Sequence, residues 1–325
     1  MGFRKLKNII KKIAPKFIIL FYRNITSKTF KEEKRGYGSL NKDKKFYVIR
    51  RTPPAAGLMS NYSVVLLHLL EAEKRKLIPV IDYKNYNSYY KEENLINGTQ
   101  NVWEYYWEQS SSYSLEEIYQ SQNIILSAEI PNQEGIWNLK FLDNDIYIKK
   151  LYEISKKVPL NNKTQKYVNK VYEEVIPKNK NILGVAMRGT DYTLLKPQGH
   201  PVQPEIEEMI KIVKEKILKW KIDYIYLTTE EENTLRIFKN EFKNKLLFVK
   251  RERYKSYDGK KYIPDVRFKR SNDKYLTGLE YLSEMYILSK CNSLIAASNS
   301  GVVAAVIMNG NQYENKYIIN LGVYN

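Results

Sequence analysis

The sequence predicts an α/β fold of two domains, and three observations support this prediction. The chain has 325 residues, which is enough for two domains that each bury a hydrophobic core. Hydrophobic residues make up 43% of the chain and charged residues 28%, values that exclude a largely disordered or fibrous protein. Short apolar runs alternate with segments of helical length and periodicity, as they do in parallel α/β sheets.

The second half of the chain shows this alternation most clearly. Apolar runs predict five strands, which are Ile182–Met187, Tyr224–Leu227, Leu246–Val249, Ser293–Ala297 and Tyr317–Leu321. The predicted helices between them are Pro204–Lys219, Glu231–Phe242, Tyr275–Lys290 and Val302–Met308. Pro204 is suited to the first position of its helix, where a missing N–H group costs nothing.

The first half begins with a strand–loop–helix–strand unit, formed by Lys45–Arg50, Leu58–Lys76 and Ile78–Ile81. Two further helices are predicted over 146–156 and 163–175. We therefore predict a basic arm and linker over residues 1–38, an N-terminal α/β domain over 39–178 and a C-terminal α/β domain over 179–325. A cleft is expected between the two α/β domains.

The histidine and cysteine content limits the chemistry. Cys291 is the single cysteine, so no internal disulfide can form and a reducing compartment is favoured. One cysteine and two histidines cannot build a structural zinc site of the usual kind. Cys291 is expected to be a small buried hydrophobic residue, and His68 a histidine packed within its helix. The aromatic run 101–108 is expected in the core, with a sugar-binding platform as the alternative.

The net charge of +18 predicts an anionic partner, which is a nucleic acid, a membrane surface or a phosphorylated substrate. Residues 1–35 hold eleven lysines and arginines against two glutamates, a net charge of +9 and half of the total. Apolar residues recur there at helical spacing, but the run is too short to span a bilayer, and no signal-peptide cleavage site follows it. We predict an amphipathic helix on an anionic membrane surface, with a helix packed on its own domain as the alternative.

Polar residues follow three of the predicted strands of the C-terminal domain, at the sheet edge where α/β proteins bind ligands. The first group is Arg188-Gly189-Thr190-Asp191-Tyr192, in which the guanidinium suits phosphate oxygens and Asp191 can orient it or accept from a hydroxyl. The others are Thr228-Thr229-Glu230 and Ser298-Asn299-Ser300-Gly301, whose backbone N–H groups can cradle an anion. Together they predict a nucleotide-type pocket, although such residues are also ordinary helix caps.

The segment from Arg188 to Tyr192 resembles the His-x-Arg-x-Thr-Asp motif of the O-fucosyltransferase and α1,6-fucosyltransferase superfamily. Residues 281–295 and Ser298-Asn299-Ser300 resemble a later motif of that superfamily, and Gly57–Asn61 resembles its N-terminal glycine loop. The resemblance spans about 45–325 but is specific only in the second half. It implies a GT-B-like fold, in which two Rossmann-like domains face a central cleft, and GDP-fucose as the donor.

The resemblance also implies roles for single residues. Arg188 would bind the donor diphosphate and stabilise the leaving group, Glu284 would read the guanine edge, and Ser300 would bind phosphate. The remaining predicted donor contacts are Gly57, Asn61, Thr190, Thr228, Thr229, Glu230, Ser298, Asn299 and Gly301. Two positions depart from the family pattern, since Ala186 stands in place of a histidine and Gly189 in place of the second arginine of the α1,6 subgroup.

An arginine beside the leaving diphosphate can make a divalent metal unnecessary, so we expect neither a metal nor another cofactor. We also assign no Asp-x-Asp signature of a metal-bound diphosphate. The catalytic base stays open among Asp191, Glu104 and His200. Glu104, Tyr192 and His200 are the predicted acceptor contacts, on a glycan or a lipid-linked oligosaccharide.

The leading hypothesis is a metal-independent, inverting fucosyltransferase that builds a cell-surface glycan, such as a capsule or lipopolysaccharide, at the cytoplasmic face of the membrane. One alternative is the same fold with another nucleotide sugar. Two others are a basic nucleic-acid-binding protein and a non-catalytic membrane scaffold. We expect no nucleic acid as partner, because the chain has no RNP, KH or zinc-finger pattern.

Overall fold

A computed structural model describes residues 29–53, 55–131, 139–189, 191–255 and 267–325, without the side chains of residues 139, 140 and 191. The predicted basic helix at the start of the chain lies outside these ranges. The described residues form two β-sheets with helices packed against them. The predicted α/β class is therefore confirmed.

The N-terminal sheet contains β1 (Glu33–Arg35), β2 (Phe46–Ile49), β3 (Ile78–Ile81) and β4 (Ile124–Leu126), in the order β1-β4-β2-β3. β2 is parallel to both β3 and β4, and β1 is antiparallel to β4. Helix α1 (Leu58–Lys74) connects β2 to β3, as the sequence predicts. The other helices of this half are α2 (Leu115–Ile118), α3 (Asp145–Ser155) and α4 (Asn162–Val175), with 3₁₀ turns at Val102–Tyr105 and Leu139–Asp143.

Part of the predicted arm and linker belongs to this sheet. β1 lies within residues 1–38, yet it pairs with β4 along its whole length. Glu33 accepts a hydrogen bond of 3.0 Å from the buried Arg50, and Glu32 forms an ion pair of 2.6 Å with Arg75. Gly38 continues the edge, since its amide donates to the carbonyl of Ser121. The arm and the sheet therefore overlap from residue 33 onward, which corrects the expectation that this stretch is a linker.

The C-terminal sheet is fully parallel. It contains β5 (Ile182–Ala186), β6 (Tyr224–Thr228), β7 (Leu246–Leu247), β8 (Ser293–Ala297) and β9 (Asn315–Ile319), in the order β7-β6-β5-β8-β9. All five predicted strands are present, and β9 begins two residues before its prediction because Asn315 pairs with Ser293. The sheet order reverses between β5 and β8, and in such sheets ligands bind at the carboxyl ends beside this switch point.

The helices of this half are α5 (Asp191–Leu195), α6 (Ile206–Lys219), α7 (Glu232–Phe242), α8 (Asp273–Lys290) and α9 (Ser300–Asn309), with a 3₁₀ turn at Lys243–Lys245. Helix α6 has Glu205 as its N-cap, so Pro204 precedes the helix and the prediction of Pro204 at its first position is wrong.

One hydrophobic core joins the two halves. Helix α9 is buried from Gly301 to Ile307, and it packs against α1 and α3 of the N-terminal half as well as against α8. Helix α8 in turn packs against α4. A second core lies on the other face of the C-terminal sheet, beneath α6 and α7. The helices therefore hold the two sheets in a defined relative position.

Three expectations about buried residues can be checked within this core. His68 in α1 is fully buried, its Nδ1 lies 2.9 Å from the hydroxyl of Tyr47, and burial lowers its pKa to about 3. The rings of Trp103 and Trp107 are stacked and buried, which confirms the core assignment of the run 101–108 over the sugar platform. Cys291 is buried, and burial raises the pKa of its thiol.

Candidate active site

A cleft of about 470 Å³ lies at the carboxyl ends of the C-terminal strands. Its walls come from both halves of the chain. The loop 55–57, the start of α1 and Tyr90 form one wall, and the turns after β5, β6 and β8 form the other together with Arg251. The volume is within the range of about 300–1,000 Å³ that is usual for small-molecule sites.

Arg188 follows β5 and lies in the wall of this cleft. Its Nη1 is 3.7 Å from Oε1 of Glu230, and its guanidinium carbon is 4.5 Å from the ring centroid of Tyr192. The hydroxyl of Tyr192 is in turn 3.0 Å from Nδ1 of the exposed His200. The side chain of Arg188 is only 19% exposed. Glu230 and Tyr192 therefore hold its guanidinium group in the cleft wall.

Several other predicted residues lie in the same cleft. Gly57 lines it from the N-terminal half, and Ser298, Asn299 and Ser300 line it at the start of α9. The structure therefore brings together residues that are separated by more than two hundred positions in the sequence, as the strand-end argument predicts.

Thr228 and Thr229 do not line the main cleft. They border a small cavity of about 20 Å³ together with Ala186, the residue that stands in place of the family's histidine. The hydroxyl of Thr228 donates to Oε2 of Glu284 over 3.1 Å, and the carbonyl of Thr229 accepts from Nε of Arg253 over 3.1 Å. In this arrangement both threonines contact protein groups.

Glu284 is placed differently from its prediction. Its side chain is fully buried, and it forms ion pairs of 2.8 Å with Arg251 and 3.2 Å with Arg253. Since Thr228 also donates to this carboxylate, both of its oxygens are engaged by protein groups. The predicted contact with a guanine edge is thus corrected, and Glu284 is a residue that positions arginines.

Two further donor predictions are corrected by local contacts. Asn61 is buried, accepts a hydrogen bond from Arg51 over 3.2 Å and donates one to the carbonyl of Ala56 over 2.9 Å. It therefore stabilises the loop 55–57. Gly301 packs against α8, since a Cβ atom there would lie 2.3 Å from the hydroxyl oxygen of Tyr281. Its amide, like that of Val302, donates to Oδ1 of Asn299. Asn299 is therefore the N-cap of α9, and these two amides are not available to a ligand.

The acceptor and base predictions have mixed outcomes. Glu104 accepts hydrogen bonds from Thr99, Asn101 and Gln109 and does not line the cleft, so it is wrong both as an acceptor contact and as the base. Thr190 lies outside the described residues, and Asp191 begins α5 with its side chain undescribed. The base thus stays open between Asp191 and His200.

Several residues of the cleft were not singled out from the sequence, among them Ser63, Tyr90, Arg251, Tyr254 and Tyr281. The strongly basic segment 250–270 was the available signal for Arg251. Ser63 Oγ and Arg251 Nε are buried and have no hydrogen-bond partner among the described residues. Buried polar atoms are normally paired, so these two atoms are available to a polar ligand in the cleft.

The described ranges contain no group of three His, Cys, Asp or Glu side chains that could hold a metal ion. An Asp-x-Asp tripeptide does occur, as Asp143-Asn144-Asp145, which corrects the sequence reading. Asn144 caps α3 and Asp145 is hydrogen-bonded to Asn311, and neither lines the cleft.

A second cavity of about 490 Å³ lies at the opposite edge of the C-terminal sheet, near the amino ends of β5, β8 and β9. Lys178, Lys180 and Lys290 border it. It contains none of the residues predicted for the site.

No protein-family model matches the chain, and no curated protein matches it either. Among solved structures, the protein is similar to NodZ α-1,6-fucosyltransferase soaked with GDP-fucose, with 15% identity and a TM-score of 0.47 over 82% of this chain and 93% of that chain. The fucosyltransferase NodZ from Bradyrhizobium gives 16% identity and a TM-score of 0.48, over 81% and 93%. POFUT1 in complex with GDP gives 8% identity and a TM-score of 0.48, over 85% and 98%.

These neighbours are of the enzyme class named by the sequence resemblance.

Proposed function

We propose that the protein is a metal-independent, inverting glycosyltransferase that transfers a fucosyl group from GDP-fucose to a glycan acceptor. The observation that carries this proposal is the position of Arg188, in the wall of a cleft at the carboxyl ends of parallel strands. The strand-end residues Glu230, Ser298 and Ser300 line the same cleft and give it the polarity that a nucleotide sugar needs.

The chemistry follows from where charge develops. In an inverting transfer the acceptor hydroxyl attacks the anomeric carbon as its bond to the diphosphate breaks, and the hydroxyl proton passes to a base. The leaving diphosphate gains negative charge, which a held guanidinium stabilises without reorganisation. Glu230 and Tyr192 restrict Arg188 to the cleft wall. Asp191 and His200 are the two proposed bases, and the N-terminal wall of the cleft is the proposed acceptor side.

The choice of fucose over another sugar rests on the family resemblance alone. Ala186 and Gly189 depart from the family pattern, and Glu284 is enclosed by arginines. The same fold with another nucleotide sugar is therefore the second candidate, and donor identity is the first property to measure.

The first prediction concerns Arg188. The substitution Arg188→Lys keeps the charge but loses the planar fork, so transfer should fall by about 100-fold or more, the usual effect of removing one such donor. Turnover would be measured with GDP-fucose beside a thermal unfolding curve that should be unchanged. The matched control is Arg236→Lys, because Arg236 is exposed on α7 and contacts Asn233. Wild-type turnover in Arg188→Lys would exclude the arginine from the mechanism.

The second prediction concerns the donor and the metal. Of GDP-fucose, GDP-mannose and a set of UDP-sugars, GDP-fucose should give the fastest hydrolysis and the largest thermal stabilisation. The rate should be nearly unchanged by EDTA, since the guanidinium of Arg188 and not a metal ion neutralises the leaving diphosphate. Preference for a UDP-sugar would show that GDP-fucose is not the donor. A rate that is lost with EDTA and restored by manganese would overturn metal independence.

We further propose that residues 1–28, with part of the +9 charge of the first 35 residues, attach the enzyme to the anionic cytoplasmic face of a membrane. Among the described residues no helix is both long and apolar enough to cross a bilayer. Each lysine or arginine near an anionic surface contributes about 1 kcal/mol within a Debye length. Surface attachment would raise the effective concentration of a lipid-linked acceptor.

The third prediction tests this attachment with the full chain. Replacing Lys5, Lys7, Lys11 and Lys12 by glutamate should remove at least about 4 kcal/mol of membrane attraction, while activity on a soluble acceptor stays unchanged. The control carries the same charge change at four exposed lysines, which are Lys149, Lys150, Lys166 and Lys178. Flotation with phosphatidylserine vesicles at low salt is the measurement. Equal flotation of the two variants, or none by the wild type, would contradict the proposal.

A further inference from the structure

We infer that Arg251 is the second arginine of the diphosphate site. Arg251 lies in the segment after β7, and it supplies the guanidinium that the α1,6 subgroup carries at the position of Gly189. This inference rests on the proposed function, because it assigns a role within the same cleft. It concerns any nucleoside diphosphate, whichever base and sugar the enzyme uses.

A side chain at position 189 would displace the carboxylate of Glu231. A Cβ atom on Gly189 would lie 2.8 Å from Oε2 of Glu231, whose carboxylate accepts a hydrogen bond of 2.8 Å from Thr234. A side chain would fit only if Glu231 left this contact at the start of α7. The turn after β5 therefore carries one guanidinium, that of Arg188, and the other arginine that lines the cleft is Arg251.

The segment that carries Arg251 is attached to the turn after β6. The amide of Tyr254 donates to the carbonyl of Glu230, and the amide of Glu232 donates to the carbonyl of Tyr254, both over 3.0 Å. Glu230 is the residue that pairs with Arg188. These two hydrogen bonds bring Arg251 to the wall of the cleft that also contains Arg188.

Hydrogen bonds to protein groups fix both terminal nitrogens of the Arg251 side chain. Its Nη2 lies 2.8 Å from Glu284 and 3.4 Å from the carbonyl of Thr229, and its Nη1 lies 3.2 Å from the carbonyl of Glu252. The side chain is only 4% exposed although it lines the cleft. The ion pair thus fixes one side of the guanidinium, which is the arrangement of a preorganised donor.

Charge and hydrogen bonding both indicate an anion in front of Arg251. Its Nε is buried and has no hydrogen-bond partner among the described residues. Arg251 and Arg253 share the single carboxylate of Glu284, so this cluster keeps one positive charge in excess. Arg188 and Glu230 balance each other. A diphosphate between Arg188 and Arg251 would supply the missing acceptor and would lie against the excess charge of this cluster.

The test measures binding of GDP, UDP and inorganic pyrophosphate by calorimetry. Arg251→Gln should weaken binding of all three by a similar factor, about tenfold or more, because the diphosphate is their shared part. A loss confined to GDP in Arg251→Gln would show a contact with the guanine base and would overturn the inference.

Two variants separate this role from a structural one. Arg253→Gln removes the same charge as Arg251→Gln, but Arg253 does not line the cleft. It should lower thermal stability and weaken pyrophosphate binding far less than Arg251→Gln does, and an equal loss in the two variants would overturn the inference. The double variant Arg251→Gln with Glu284→Gln keeps the net charge of the cluster, so it serves if the single variant fails to fold. It should still lose diphosphate binding, and wild-type affinity in it would overturn the inference.

The outcomes also distinguish this inference from the proposed function. Diphosphate binding that depends on Arg251, in a protein that transfers no sugar, would support the inference and reject glycosyl transfer. Transfer that is unaffected by Arg251→Gln would reject the inference alone. A wild-type protein that binds none of the three probes would reject both.

Discussion

The buried carboxylate of Glu284 is the constraint on which the candidate site depends. An ion in the protein interior costs several kcal/mol unless it is paired and hydrogen-bonded. Here Arg251, Arg253 and the hydroxyl of Thr228 satisfy it. These contacts join α8, the end of β6 and the segment after β7 at one point. The wall of the cleft therefore has a defined shape before any ligand binds.

Apolar packing sets the position of α9, whose start belongs to this wall, relative to the N-terminal wall. Helix α9 is buried along most of its length between the C-terminal sheet and helices α1 and α3. The close approach of Gly301 to Tyr281 sets how α9 begins, and its first residues line the cleft. Both walls of the site thus depend on one continuous core, and large rearrangement of one half against the other would expose apolar surface.

Sequence reasoning succeeded where the signal is local. The strands of the parallel sheet are apolar runs, and Arg188 follows one of them directly, so its place at the carboxyl edge could be predicted. It failed where a role depends on distant partners. Glu284 pairs with Arg251 and Arg253, which lie 33 and 31 residues away in the sequence. Likewise, the sequence predicts Asn299 as a ligand contact, but its side chain caps its own helix. Strand β1 was missed because it is only three residues long, which is too short to show a strand pattern.

A crystal structure of the full chain with GDP would test the central claim most directly, because that claim concerns where the diphosphate lies. The account predicts diphosphate oxygens within hydrogen-bond distance of Arg188 and of Nε of Arg251, with Glu284 still paired to its two arginines. A diphosphate bound instead at the opposite sheet edge, in the cavity bordered by Lys178, Lys180 and Lys290, would contradict it.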